Sequence, residues 1–474
     1  MKQTEKLPLR GQLIYASGTL GWSVVVNLLA GIIIYFYQPV GDDQLNNLIP
    51  KITILGFINA LTLVVLSARL IDAIIDPVIA HLSDKSGNKL GRRITGFLLW
   101  MPLTRTESMG NIWWLAGIQI LFNVSISFYV IPYNALLPEF GYNSEVKLRI
   151  STFQSIAYTI GLVIASASNA LLNFNQDVLH MEDKFRAYQL AIWTIFVIGW
   201  IFLLIPVFLK EKKYIVPNPV TTGIKDNFKT VLKNKNVLLY LIADFTYFIS
   251  LTIIGTGALY YVKALLGLEE KHGTGMVATT VGLAMIWSPI VYFLAKRYSK
   301  KVMILSSLFM LSLVFSSVRY LGNFGLENVY EAYLLAAVLS VPFAVLGILP
   351  PVILAELTQA DAYETKENRE ATFFAIRSLF IQFGQTMGIV IFTILIGLDQ
   401  SKGLGNYLAG VFSKVPFEEL GIRLSGIFGF ILCFIAAIIF SFFNEKKLKA
   451  SIDAMEAELA EKSQATTQDS GKEN

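Results

Sequence analysis

Two aspartates, Asp72 and Asp76, stand in a stretch from Ile52 to Leu82 that is otherwise apolar nearly throughout. They occur in Arg69-Leu-Ile-Asp72-Ala-Ile-Ile-Asp76-Pro77. An ionised side chain at bilayer depth costs about 3 kcal/mol or more on insertion scales, so such groups mark functional sites by default. On a helix, offsets of three and seven residues place Arg69, Asp72 and Asp76 along one stripe. That stripe has to face protein or a water-filled cavity, because lipid cannot solvate it. A structural ion pair between Arg69 and one aspartate leaves the second carboxylate unexplained.

The elements that hold this stripe are membrane spans. Of 474 residues, 54% are hydrophobic and 15% charged, and the mean hydropathy is +0.57, far from a soluble domain. Apolar runs long enough to cross a bilayer are expected near 12–37, 52–82, 93–104, 112–138, 150–173, 187–209, 237–263, 274–296, 302–320, 329–354, 371–397 and 420–443. The single cysteine, Cys433, excludes a disulfide framework, and three histidines offer no metal cluster. No cleavable signal peptide is expected, since Met1 to Arg10 is polar and the first apolar run is too long. The net charge of +5 is spread over loops, which excludes a nucleic-acid patch.

Lysine and arginine fall in alternate loops: Lys2, Lys6 and Arg10; Lys85, Lys89, Arg92 and Arg93; Lys147 and Arg149; Lys296 to Lys301; and Lys446 to Lys449. By the positive-inside rule both termini are cytoplasmic, and the location is the plasma membrane. The basic interruption from Lys210 to Asn236 divides the chain into six-span bundles over 1–209 and 237–443, joined by a cytoplasmic linker over 210–236. Within the linker, Ile224 to Leu232 suits a surface helix. The tail, 444–474, is charged, helical to about Lys462, then disordered.

The third span does not fit the pattern. From Ile94 to Thr104 a helix is only about 16 Å long, against a hydrocarbon core of about 30 Å. An even number of crossings is nonetheless required over residues 94–138, which leaves two readings: a short, tilted or distorted span that takes in Arg105 to Asn111, or a sequence that has lost part of this helix. An internal repeat supports the two-bundle division. Asp76-Pro-Val-Ile-Ala-His-Leu-Ser-Asp-Lys85 aligns without gaps on Ser288-Pro-Ile-Val-Tyr-Phe-Leu-Ala-Lys-Arg297. The carboxylates occur only in the first copy.

These residues resemble the glycoside–pentoside–hexuronide cation symporters of the major facilitator superfamily, typified by the melibiose carrier. The resemblance rests on Arg69-x-x-Asp72-Ala-x-x-Asp76-Pro77, on Leu82-Ser-Asp84-Lys85 with Gly91-Arg92-Arg93, on Ile131-Pro-Tyr-Asn134-Ala-Leu-Leu-Pro-Glu139, and more weakly on Asn368-Arg369-Glu370-Ala371. It implies an all-α membrane protein with twelve transmembrane helices in two six-helix bundles. It also implies a secondary transporter rather than an enzyme, symporting a sugar, glycoside or uronate by alternating access, with no cofactor beyond a coupling proton or sodium ion. The expected partners are this solute and the lipid bilayer, and the expected state is a monomer.

Carried over residue by residue, the resemblance makes Asp72 and Asp76 the cation ligands, with Ser127 donating a hydroxyl. Arg69, Asp84, Lys85, Arg92 and Arg93 become gating residues. The position before Asp76, often an asparagine in sodium-coupled relatives, is Ile75. Sodium prefers several oxygen ligands, whereas two carboxylates in apolar surroundings readily share a proton, so proton coupling is favoured. The substrate positions implied are Trp22, Ser23, Asn27, Tyr133, Asn134, Gln154, Arg377 and Gln382. They lack the paired acids that grip galactoside hydroxyls: the first-helix acid is Ser23 and the fourth-helix acid is Val130. Amides and aromatic rings suit neutral sugars, and Arg377 suits a carboxylate such as a hexuronate. Asp244 is expected near the membrane surface, with a pairing to Arg377 across the halves as the alternative.

Two other functions compete. A lysophospholipid or other amphiphile carrier keeps the fold and changes the cargo. An intramembrane magnesium-dependent transferase binds diphosphate through aspartate-rich helices, but it needs further acidic motifs that Ser288 to Arg297 lacks.

Overall fold

The computed structural model describes residues 7–37, 48–50, 53–54, 58–59, 71, 101–141, 143–209, 224–365, 367, 369–397 and 420–455. Two compact units emerge: residues 1–224 with 364–375, and residues 225–363 with 376–474.

The first unit contains α1 (Leu9–Tyr37), α2 (Met109–Phe140), α3 (Ser144–Ser166), α4 (Ser168–Asp177) and α5 (Lys184–Leu204). Their starts follow capping chemistry. The Asn143 side chain accepts from the Val146 amide at 2.8 Å, and Asp183 accepts from the Arg186 amide at 3.2 Å. Helix α1 lies against α3 and α5, burying Val24, Leu28, Ile192, Ile195 and Phe196. Gly161 permits the crossing of α3 over α1: a Cβ there would stand 2.7 Å from the Leu20 carbonyl oxygen. Ala371 and Ala375 also belong to this unit, packing with Ile131 and Ala135 of α2.

The second unit contains most of α6 (Ile224–Lys233), then α7 (Lys235–Tyr260), α8 (Glu270–Arg297), α9 (Lys300–Val318), α10 (Asn328–Thr365), most of α11 (Glu370–Gly397) and α12 (Leu420–Ser441). Helix α12 packs on α7 and α9. Glycines again allow close approach. Gly384 and Gly388 of α11 bring sites for a Cβ to 2.9 Å and 2.7 Å from the carbonyl oxygens of Phe245 and Ile249 in α7. The eleventh expected span thus meets the seventh through close glycine contacts, as the fifth meets the first. The tail is helical over 445–455 and docks on this unit, with Leu448 and Ile452 buried. Glu445 accepts from the Lys300 amide at 3.0 Å, capping α9. Asn236 and Asn444 exchange a reciprocal pair of hydrogen bonds, each 3.1 Å.

Ten helices among the described residues are long and apolar enough to cross a membrane. They coincide with ten of the twelve expected spans. Exposed apolar side chains such as Trp113, Ile286, Phe293 and Phe309 give these helices lipid-compatible outer faces. The other two expected spans, 52–82 and 93–104, lie largely outside the described residues. At their edges the expectation needs correction. Thr53–Ile54 pairs with Ile58–Asn59 as a short antiparallel ladder, in keeping with β-branched residues, so the helix expected from Ile52 does not begin there. Residues 101–108 are not helical. Pro102 lacks an amide donor and restrains its predecessor, and the segment is fastened to α2 instead. The Asn111 side-chain amide donates to the carbonyls of Leu48 at 2.9 Å and Thr104 at 3.0 Å, while Trp114 Nε1 donates to Met101 at 2.8 Å. The fifth span also breaks at Ala167, between α3 and α4, where the Ala167 amide tightens onto Ile164.

Candidate functional site

Asp72 and Asp76 lie outside the described residues, as do Arg69, Asp84, Lys85, Arg92 and Arg93. Their proposed partner Ser127 is buried on α2. The remaining candidate residues fall into two groups in the first unit and one in the second.

The first group joins α1 to α2. Tyr15 and Tyr133 stack with ring centroids 4.5 Å apart. The Tyr15 hydroxyl donates to the Tyr133 carbonyl at 2.6 Å, and the Tyr133 hydroxyl donates to the Tyr15 carbonyl. Each phenol has one proton, so Thr19 Oγ1, 2.9 Å from the Tyr133 hydroxyl, must be the donor in that contact. Gln154 of α3 reaches both hydroxyls. Tyr133, with both its proton and its ring engaged, is 5% exposed. Its role here is to clasp two helices. Asn134, the next residue, is half-buried.

The second group sits one to two turns further along α1. Ser23 is fully buried; its Oγ donates to the Tyr158 carbonyl at 2.7 Å. Asn27 Nδ2 donates both to the Ser23 carbonyl at 2.8 Å and to Ser23 Oγ at 3.1 Å. The Asn27 amide lies beside the Tyr158 hydroxyl. The Trp22 ring meets Tyr158 at 5.3 Å, and its Nε1 is buried with no hydrogen-bond partner. A buried donor without a partner is costly, and among the described residues none accepts from this indole N–H. Spacing explains the assembly. Thr19, Ser23 and Asn27 recur every four residues along α1, and Gln154 and Tyr158 do so along α3. Tyr158 was absent from the sequence-derived set. Its only signal was the four-residue offset from Gln154.

The third group lies in the second unit. Arg377 Nε of α11 donates to Asp244 Oδ2 of α7 at 2.8 Å, with the two side chains 14% and 4% exposed. The Tyr240 hydroxyl donates to the Pro350 carbonyl at 3.0 Å and lies against Arg377. Asp244 is therefore not a surface carboxylate, as expected, but the buried partner of Arg377, and both belong to one unit. Gln382, further along α11, donates weakly to Ser378 Oγ at 3.4 Å.

Outside the spans, Arg105 and Asp183 form a half-exposed ion pair at 3.0 Å. Partial desolvation pushes the Asp183 carboxyl up, but the Arg186 amide and the Arg105 guanidinium outweigh it and hold it below the usual range.

Known proteins resemble the chain at several levels. It is 22% identical to the lactose permease of Leuconostoc lactis over 392 residues, which is 77% of this chain and 59% of the permease. It is 21% identical to the raffinose carrier protein of Pediococcus pentosaceus over 402 residues, 79% of this chain and 60% of the carrier. The chain thus spans less than two thirds of either relative. An uncharacterized symporter of Synechocystis is 20% identical, with 88% and 89% of the two chains covered. Among solved structures, the E. coli fucose:proton symporter FucP superposes with a TM-score of 0.58 at 15% identity, covering 90% of this chain and 98% of that one. A bacterial homologue of the iron transporter ferroportin, in an outward-facing state, gives 0.58 at 14% identity over 92% and 98%. These likenesses show the all-helical fold of the major facilitator superfamily, and with it a multi-pass membrane protein. The family described as MFS/sugar transport protein matches residues 14–444, nearly the whole chain, so this protein belongs to that family of transporters.

Proposed function

We propose that the chain is a cation-coupled symporter of a sugar or sugar-like solute, working by alternating access of bundles 1–209 and 237–443 about the linker 210–236. The carrying observation is the Asp72/Asp76 couple, two carboxylates with one arginine inside an apolar run, in a chain of a sugar-transport family. Asp72 and Asp76, with Ser127, hold the coupling ion, a proton in preference to sodium. Its binding removes charge repulsion and raises substrate affinity, and coupling is that differential affinity. Arg69, Asp84, Lys85, Arg92 and Arg93 gate the cytoplasmic side, where both termini lie. The names of the relatives, a lactose permease and a raffinose carrier, support a sugar as cargo. Trp22, Asn27 and Tyr158 are the contacts offered by the first unit, with an indole N–H, an amide and a phenol suited to hydroxyls. The test is uptake into vesicles with imposed proton or sodium gradients, across neutral sugars, uronates and lysolipids. Proton-driven accumulation of a sugar is expected. Accumulation of lysolipids alone would replace the sugar with an amphiphile, and no gradient-driven uptake of any solute would end the symporter reading.

A further inference from the structure

We infer that Asp244 is a specificity-determining residue which, by neutralising Arg377, restricts the cargo to uncharged sugars and excludes sugar acids. The inference rests on the symporter reading above and names the substrate class that reading leaves open.

Among the described residues, Arg377 is the one basic side chain seven or more residues from both ends of its helix. Among the described residues it is therefore the cation deepest within a membrane-spanning helix. Along α11 it stands about 10 Å from the helix start, and Asp244 about 13 Å from the start of α7. Four crossings, α7 to α10, separate the two helix starts, so these starts lie on the same face and the two charges share a depth. Their 2.8 Å contact joins nearly buried side chains, and Tyr240 flanks the guanidinium. Three basic groups nearer helix ends are occupied as well. Arg149 Nε donates to Gln12 at 2.8 Å, Lys300 pairs with Glu356, and Arg423 donates to the Arg319 carbonyl at 2.6 Å.

A uronate could take Arg377 only by displacing Asp244. That exchange would strand a carboxylate in a low-dielectric interior, where an uncompensated charge is heavily penalised. A neutral sugar leaves the pair intact. The polar groups near Arg377 on α11, Ser378 and Gln382, are uncharged, as are Trp22, Asn27 and Tyr158 in the first unit.

The experiment compares wild type, Asp244→Asn, Arg377→Gln and the Asp244→Asn/Arg377→Gln double variant, each purified and reconstituted. Each single variant is expected to melt below wild type and to lose about tenfold or more of its uptake, since it strands a charge. The double variant is expected to recover most of both. Lactose and raffinose serve as neutral probes and glucuronate as the acidic probe, read by thermal stabilisation and by competition for uptake. Stabilisation by a neutral sugar and not by glucuronate, retained in the double variant, supports the inference. Glucuronate binding by the wild type would overturn it, whether or not the double variant keeps that binding. A double variant melting as low as the single ones would overturn it too, because the pair would not be a self-compensating unit. Should no sugar of either kind be carried, the symporter reading fails, while the melting comparison still judges the pair.

Discussion

Replacing Gly161 by alanine tests how the first unit positions its polar groups. The added Cβ would lie 2.7 Å from the Leu20 carbonyl oxygen, 2.7 Å from Ser23 Cβ and 2.8 Å from Ser23 Oγ, where ordinary contact begins at 3.4 Å. Helices α1 and α3 would have to separate by roughly 0.7 Å, and backbone on one side cannot rotate away as a flexible side chain can. Overpacking of this kind costs about 1–3 kcal/mol. Loss of the Ser23 Oγ bond to the Tyr158 carbonyl adds about 1 kcal/mol. The higher helix propensity of alanine returns at most about 1 kcal/mol, leaving a net destabilisation of about 1–3 kcal/mol. Gly117→Ala is the control, because nothing lies within 4 Å of its added Cβ. Thermal unfolding of the purified protein should show Gly161→Ala melting below wild type and Gly117→Ala at or above it. Tryptophan emission should shift in the first variant as Trp22 moves against Tyr158. Equal melting of the two variants would refute the close-crossing argument.

Tyr133→Phe removes the hydroxyl that satisfies the buried Tyr15 carbonyl and accepts from Thr19, and should cost about 1–3 kcal/mol in thermal unfolding; an unchanged midpoint would show that the clasp carries no stability. Asp183→Ala should cost about 1 kcal/mol at neutral pH through loss of the α5 cap, whereas Asp183→Asn keeps the cap and should cost only a few tenths, because its ion pair with Arg105 is half-exposed. The Asp183 carboxyl is held below its unfolded value, so its contribution is complete at neutral pH and disappears as pH falls through that lowered value. A difference between Asp183→Asn and wild type that grew in acid would contradict this sign.

Much of the fold was legible in the sequence, because apolar runs of membrane length carry their own signature. Ten such runs recur as helices, most within a few residues of their expected ends. Helix α10, however, runs on to Thr365, well past the expected 354, and the expected 150–173 starts earlier, at Ser144, and breaks at Ala167. What periodicity could not supply was partners. Asp244 reads as a surface carboxylate when judged by its distance from the start of its span, since only the α7–α11 crossing at Gly384 and Gly388 brings Arg377 beside it. Tyr158 looks like an ordinary packing residue until the crossing at Gly161 sets it against Trp22. Tyr133, a substrate candidate by motif, is revealed by its two engaged hydrogen bonds as a clasp. The segment 101–108 misled for a local reason. Met101, Pro102 and Leu103 continue the preceding apolar run, but Pro102 and the carbonyl-binding side-chain amide of Asn111 make the segment an anchored loop.

Coupling through Asp72 and Asp76 remains the centre of the account, and Asp76→Asn tests it most directly. Reconstituted wild type should accumulate a neutral sugar against its gradient when an inward proton gradient is imposed. Asp76→Asn should lose that accumulation while still exchanging sugar between equal pools, since only the link to the ion has been removed. Gradient-driven accumulation in Asp76→Asn equal to wild type would contradict the account.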